Sequence, residues 1–450
     1  LHQVQPRDAL RHRVLHLQAG VHLQEVEALV AADDKLHFSK RPDRAKFTAS
    51  TLTQTLVLGF LAHPDARIEQ LTHTAARLGV DVSPQAIDQR FSFDTAALLR
   101  EVLASSMHDL IAAERVAIPI LQRFQGVRVH DSTTITLPDS LAEHWRGCGG
   151  SDPEQTAAAL KCGVQFDLLT GALCGLDLAD GRASDKRLAV QHQALPKGSL
   201  RLADLGFYDL NVLAALTAED VFWLSRLEPT ALLRDEQGQS QSLLAFVHSL
   251  GACAQWEGPV WVGKEQRVKA RLLLVRVPQE VADQRRRRLR ATARRKGRQP
   301  SAAALALAEW TALITNIPAD TLTLEEALVL STVRWQIELL FKLWKSHGQV
   351  DCWRTSKAER VLCEVYAKLL AMVLQHWALI LGCWQYPERS LVKAAQVVRD
   401  HAADLASARG QCERLSEVLT SIQHVLRRTA RMNRRKTHPN TYQRLLALAA

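Results

Sequence analysis

Apolar positions along the chain fall into three regimes. Up to about residue 120 they recur at helical spacing, over 10–29, 51–62 and 68–78. The third run stops at Gly79, a residue suited to a helix C-terminus. Ser83 and Pro84 then supply a cap and a first helical residue for a short second helix over 84–91. Helix, tight turn, helix is helix-turn-helix spacing, and it leaves Gln85, Asp88, Gln89 and Arg90 available to a DNA groove. Helix pairs of this kind also occur in plain bundles.

The pattern changes at Gly126. Strands are expected over 126–130, 160–169 and 172–178, the last two joined by a Thr170-Gly171 hairpin. A helix over 187–194, a strand over 199–203, a helix over 210–216 and a strand over 221–227 follow. Residues 230–309 interrupt this alternation with strand-like runs at 259–262 and 267–277. A strand over 310–317 then stops at Pro318, and one long helix covers 324–345. This order describes an α/β mixed sheet flanked by helices. Residues 359–450 are helical again. Their longest apolar stretch, 365–384, is interrupted by Lys368, Gln375 and His376, so a buried helix fits better than a membrane span. The expected domains are 1–120, 121–358 and 359–450.

Composition narrows the classes. The chain has 450 residues, 47% apolar and 23% charged, which excludes a disordered chain or a fibre. Eight cysteines without a C-x-x-C pair argue against a zinc finger and a secreted disulfide framework, and for the reduced thiols of a cytoplasmic protein. The opening residues do not read as a secretory signal, and Leu1 is not an ordinary start. Charge is more informative. Residues 285–298 hold nine basic and no acidic side chains, and 427–444 hold seven and none. Those segments carry +16 against a net charge of +10, so the remainder carries −6. Concentrated arginine on a near-neutral body suits phosphate backbones. Residues 35–46 add five basic side chains against Asp43.

Three acids stand where chemistry could gather. Asp131 is expected to end the first strand, in VRVHDST, and Asp204 a later one, in LRLADLGFYD. Glu338 lies in the long helix, in VRWQIELLFKLWKS, between Arg334 and Lys345. At 100° per residue these three side chains fall within about 60° of one another. Carboxylates on strand, strand and helix can clamp divalent ions for phosphoryl transfer, with the two cations holding phosphates. Taken singly, each has an ordinary reading as a turn residue or a surface ion pair. His130 is expected to be a structural neighbour of Asp131, and Asp139 and Asp209 to be turn or cap residues.

At these residues the chain resembles a DDE-type transposase of the bacterial insertion-sequence-four family, the group that includes the transposon-five transposase. The resemblance covers about residues 30–440. The DST after the first strand is similar to the family's first aspartate motif, and DLGFYD to the second. RWQIELLFKLWKS is similar to the signature Y-x2-R-x3-E-x6-K at Arg334, Glu338 and Lys345, and EWTALITNIP to the strand before it. Asp131 and Asp204 are 73 residues apart, and Asp204 and Glu338 are 134 apart, which suits a ribonuclease-H-like core with a β-rich insertion at about 230–309. Where the signature has tyrosine this chain has Ser331, a hydroxyl with less reach.

The resemblance implies a catalytic triad of Asp131, Asp204 and Glu338 holding two Mg²⁺ ions, for which Mn²⁺ substitutes. It implies nicking of element ends, freeing of the end through a hairpin or another route, and joining of the 3′-hydroxyl to target DNA. Arg334, Lys345, Trp310, Arg226 and Ser331 would contact DNA, Trp310 by stacking on a flipped base. The helical regions 1–120 and 359–450 would flank the core, the first binding DNA and the second supporting a homodimer that pairs two terminal inverted repeats. Such a protein would be cytoplasmic, on the bacterial nucleoid, without a membrane partner. Two other readings share some of these features. A non-catalytic DNA-binding derivative would keep the basic patches without needing the acids, and a ribonuclease-H-like nuclease would cut without joining.

Overall fold

The computed structural model describes residues 46–107, 111–148, 157–265, 267–295, 297–384, 386, 388–432 and 441–448. The helix expected over 10–29 and most of the basic run 35–46 lie outside these residues. Two compact units interleave along the chain. One comprises Leu1–Ala117, Ser132–Ala183 and Ile337–His438, and the other Ile118–Asp131, Ser184–Gln336 and Pro439–Ala450.

The first unit is organised around the helix Ala358–Cys383, which packs against the helices Ala49–Ala62, Phe93–Ser105, Leu391–Asp400 and Cys412–Arg428. Its apolar stretch, Ala358–Ile380, is long enough to cross a membrane, but 94% of an 18-residue window within it is buried in the protein. Each polar interruption has a hydrogen-bond partner, although Gln375 Oε1 and His376 Nδ1 are buried without one. Lys368 Nζ donates to the Gln349 and Cys352 carbonyls, Gln375 Nε2 to Ala395 O at 3.2 Å, and His376 Nε2 bonds Gly171 O at 2.6 Å. A buried polar group left unpaired would cost about 1–3 kcal/mol, so these bonds make the helix tolerable in a core.

Gly171 belongs to the hairpin between β2 (Ala158–Asp167) and β3 (Leu173–Asp180). Its φ is +74°, and a Cβ there would lie 2.6 Å from the Trp384 ring and 2.8 Å from Ile380. Only glycine meets both demands. The neighbour of β2 on its other edge is β1 (Val127–Leu137), whose residues from Ser132 onward belong to this unit.

In the second unit the first half of β1 pairs in parallel with β4 (Leu200–Ala203), which pairs in parallel with β5 (Phe222–Arg226). Beyond β5 the order is β10 (Trp310–Thr315), β9 (Val268–Arg276), β8 (Gln255–Val262), β6 (Leu232–Arg234) and β7 (Ser240–Ser242), all antiparallel. Trp223, Val221, Leu213, Leu272, Leu274 and Ile314 form its dry centre. Residues 230–309 thus hold four strands, and also the helices Leu243–Ser249, Gln279–Arg295 and Ala302–Leu307.

Three elements differ from the periodic reading. β1 is an eleven-residue strand, so Asp131 lies within it and not at its end. Residues 187–194 are not an α-helix but part of two 3₁₀ turns, Asp185–Arg187 and Ala189–Gln191. Leu188 is extended between those turns, and the Gln191 side chain is drawn inward to tertiary partners. The helix expected over 324–345 is two helices, Leu324–Val333 and Trp335–Ser346, with Arg334 at the junction. The first opens with a capping box: Thr323 Oγ1 accepts from Glu326 N, and Glu326 Oε2 accepts from Thr323 N.

Candidate active site

Parallel pairing of β1 with β4 ends at His130 opposite Ala203. The next residue of each segment is an aspartate, Asp131 still within β1 and Asp204 just past β4. Parallel neighbours in register point the same way about 4.8 Å apart, so Asp131 and Asp204 present paired carboxylates where the parallel pairing stops. Arg334 lies between them. Its Nη1 donates to Asp131 Oδ2 at 2.6 Å, and its Nη2 is 3.6 Å from Asp204 Oδ1. Asp131 is the more enclosed, with 15% of its side chain exposed against 44% for Asp204. Two like charges this close repel, and the shared guanidinium offsets that repulsion.

The surroundings fix both aspartates. His130 is buried in β1, and burial, followed by the charges of Arg201 and Arg128, lowers its pKa well below the usual imidazole value. It is therefore neutral and structural. Asp204 is followed by a 3₁₀ turn, Leu205–Phe207, ending in the buried Phe207 ring. Gln191 Nε2 donates to Phe207 O at 3.0 Å, while its Oε1 accepts from buried Arg201. A Cβ on Gly206 would lie 2.3 Å from Asp185 Oδ2, so a larger residue there would have to displace that carboxylate. Asp209 then caps the helix Leu210–Ala218 by accepting from Asn211 N at 2.9 Å. Gln191, Arg201 and Asp185 escaped the sequence reading because nothing in their spacing announces a long-range partner.

Glu338 lies in the first turn of Trp335–Ser346 and belongs to the other compact unit, as does Lys345, whose Nζ donates to Thr134 O at 2.7 Å. Among the described residues, no three His, Cys, Asp or Glu stand together as a metal-holding group. The pair Asp131 and Asp204 nonetheless has the right chemistry for a hard divalent cation. Both supply carboxylate oxygens, and their charges already attract a cation, the guanidinium of Arg334.

A search among known families matches residues 122–374 to the transposase DDE domain. The chain belongs to that transposase family. It is 26% identical over 400 residues to the transposase for insertion sequence element IS231E of Bacillus thuringiensis subsp. finitimus, covering 82% of each chain. It is 26% identical over 429 residues to the transposase for IS231C of Bacillus thuringiensis subsp. berliner, covering 90% of this chain and 88% of the relative. The transposase for IS1151 of Clostridium perfringens is 25% identical over 321 residues, with 64% and 65% covered. The insertion-sequence-four resemblance is consistent with this membership. The protein is thus a DNA transposase of a class that depends on divalent metal ions.

The remaining candidates of this transposase are placed as follows. Ser331 donates its hydroxyl to Leu328 O at 2.7 Å, one turn back in its own helix. Trp310 is 7% exposed, part of the core, with the Arg276 guanidinium 4.9 Å over its ring. Stacking on a base would require that guanidinium to move aside. Trp335, beside Arg334, is 52% exposed and offers a ring face that the sequence reading passed over. Arg226 is exposed at the end of β5.

The helix Ile68–Arg77 ends in a Schellman turn. Gly79 has φ +80°, Val80 N bonds Ala75 O and Gly79 N bonds Ala76 O. Ser83 caps the second helix, which is only Pro84–Asp88. Gln85 and Gln89 are exposed and Arg90 half-buried, while Asp88 is taken by Arg360 at 3.1 Å.

Proposed function

We propose that this transposase cuts DNA at the ends of its element and joins the freed 3′-hydroxyl to target DNA, using Asp131, Asp204 and Glu338 as its acidic triad. The observation that carries this reading is the pair Asp131 and Asp204 at the end of the β1–β4 pairing, bridged by Arg334. The strand orders β3-β2-β1 and β1-β4-β5, with β1, β4 and β5 parallel, support a ribonuclease-H-like core. The strands β6–β9 support the inserted β-rich segment at about 230–309.

The three acids would hold two Mg²⁺ ions, with Mn²⁺ as a substitute. When bound, such ions supply positive charge to the attacking and leaving oxygens of phosphoryl transfer. The chain's own residues supply the rest. Asp131 presents its oxygens from within β1, and Asp204 from the residue just after β4. Arg334 holds the two carboxylates and, with Lys345, offers charge to neighbouring phosphates. Ser331 leaves phosphate contact to these cations, since its hydroxyl is spent on Leu328. Gln85, Gln89 and Arg90, with Arg226 and an uncovered Trp310, complete the DNA contacts.

The N-terminal helices would bind the terminal inverted repeats and the C-terminal helices would support a homodimer. The reaction belongs to the bacterial cytoplasm, on the nucleoid. The test is a cleavage and joining assay on a plasmid carrying the flanking DNA, with Mg²⁺ or Mn²⁺, comparing the natural protein with Glu338→Gln. Metal-dependent cutting and joining, lost in the variant with DNA binding retained, is expected. Binding without cutting by the natural protein would leave a DNA-binding derivative, and cutting without joining a nuclease.

A further inference from the structure

The arginine-rich run is the helix Gln279–Arg295, and its side chains divide by face. On one side Arg285 donates to Trp310 O and Thr311 Oγ1, each at 2.9 Å. Arg286 pairs with Asp283 at 2.9 Å and with Glu309, and its Nε reaches Leu305 O at 3.2 Å. Ala282 is fully buried. At 100° per residue, Ala282, Arg285, Arg286, Leu289 and Ala293 share this inward side. On the same wheel Arg287, Arg290 and Arg294 lie on one flank, about 80–140° from Ala282, and Arg288 and Arg295 on the other, about 220–240°, so the two groups straddle the outward side. All five are exposed, as is Arg298 just beyond the helix.

Arg286 engages Asp283 and Glu309, Asp283 also feels the charge of Arg287, and Glu280 on the outward side belongs to the first turn. Arg295 donates to Thr292 of its own helix at 3.4 Å. Like charges three or four residues apart weaken a helix by about 0.2–0.5 kcal/mol per pair, so this face opposes the helix that carries it. A polyanion removes that opposition.

We propose that the outward face, Arg287, Arg288, Arg290, Arg294 and Arg295 with Arg298, tracks the phosphate backbone of duplex DNA without reading its bases. This rests on the transposase reading and assigns a second DNA surface to the same unit. Arg287 to Arg294 spans about 10 Å of helix, enough to meet several phosphates at about one charge per 1.7 Å of duplex. Guanidinium forks suit phosphate oxygens. The inward arginines anchor the helix, leaving the outward ones to the ligand.

The experiment uses the full chain and a duplex unrelated to the element, with affinity measured by fluorescence anisotropy from 50 to 200 mM salt (about the range over which counterion release is largest). The triple variant R287Q/R290Q/R294Q should melt like the natural protein. Each lost phosphate contact should remove about 0.9 from the slope of log affinity against log salt, so a slope shallower by about 2–3 is expected. R287K/R290K/R294K should restore it. An unchanged slope in the glutamine variant, with the natural protein binding normally, overturns the inference alone. The same follows if only binding to vesicles of anionic phospholipid falls. A natural protein that binds no duplex overturns the transposase reading itself.

Discussion

Arg334 sets one cation against two anions, and its replacement separates two roles. If the guanidinium occupies charge that a divalent ion must take over, Arg334→Gln should bind Mn²⁺ more tightly without DNA. The pair is partly exposed, so its worth is discounted to about 1 kcal/mol, or three- to tenfold in affinity. Isothermal titration reads this directly, and weaker binding would mean that Arg334 serves to orient the carboxylates. Two glycines make a second contrast. Gly171 and Gly79 both have positive φ, but a Cβ at Gly79 meets nothing within 4 Å whereas one at Gly171 strikes Trp384 and Ile380. Gly79→Ala should cost about 1 kcal/mol and Gly171→Ala about 2–4 kcal/mol, read from denaturant midpoints. Equal losses would show that the Trp384 side of the hairpin yields. The aspartates themselves were legible because each follows an apolar run. The Gln191 contacts that hold the turn after Asp204 were not, because a buried polar contact leaves no local period.

Helices and strands were legible where one periodicity governed the whole segment. Ala358–Cys383 is such a case, its polar residues being too few to break the apolar pattern. The turns at 185–191 failed because Leu188 and Gln191 answer to tertiary partners, and a window of eight residues cannot reveal them. The break at Arg334 was hidden because its backbone stays helical, with φ −47° and ψ −33°. The central helix also carries a pH response. Burial lowers His376 from its usual value to about 4, so the folded protein keeps it neutral while an unfolded chain protonates it near 6.5. Stability from this group is present above pH 6.5 and is lost as pH falls toward 4, by up to about 3 kcal/mol. His130 is shifted in the same direction. His376→Gln removes the titration, so its melting temperature should fall less steeply between those pH values. A parallel fall would place the response elsewhere.

At the scale of the molecule, the consecutive reading of three domains and the interleaved division into two units make different demands on folding. A chain cut to 121–358 keeps every strand described here and all three candidate acids. It loses Ala49–Ala62, Phe93–Ser105 and Ala358–Cys383, which pack together, and leaves the β2–β3 hairpin without the His376 bond to Gly171 and without the Trp384 ring. Phe166 would lose its edge contacts with both of those rings, at 5.7 and 5.3 Å. At about 25 cal/mol per Å² of apolar surface exposed, about 400 Å² is enough to match a stability margin of about 10 kcal/mol. The fragment 121–358 should therefore lack a cooperative thermal transition and be cut rapidly by protease within 157–183, while the full chain resists there. The β4, β5, β8, β9 and β10 region, whose contacts lie within its own unit, should outlast it. A fragment that melts cooperatively with its hairpin protected would restore the consecutive domains. The division would then reflect packing density and not folding autonomy.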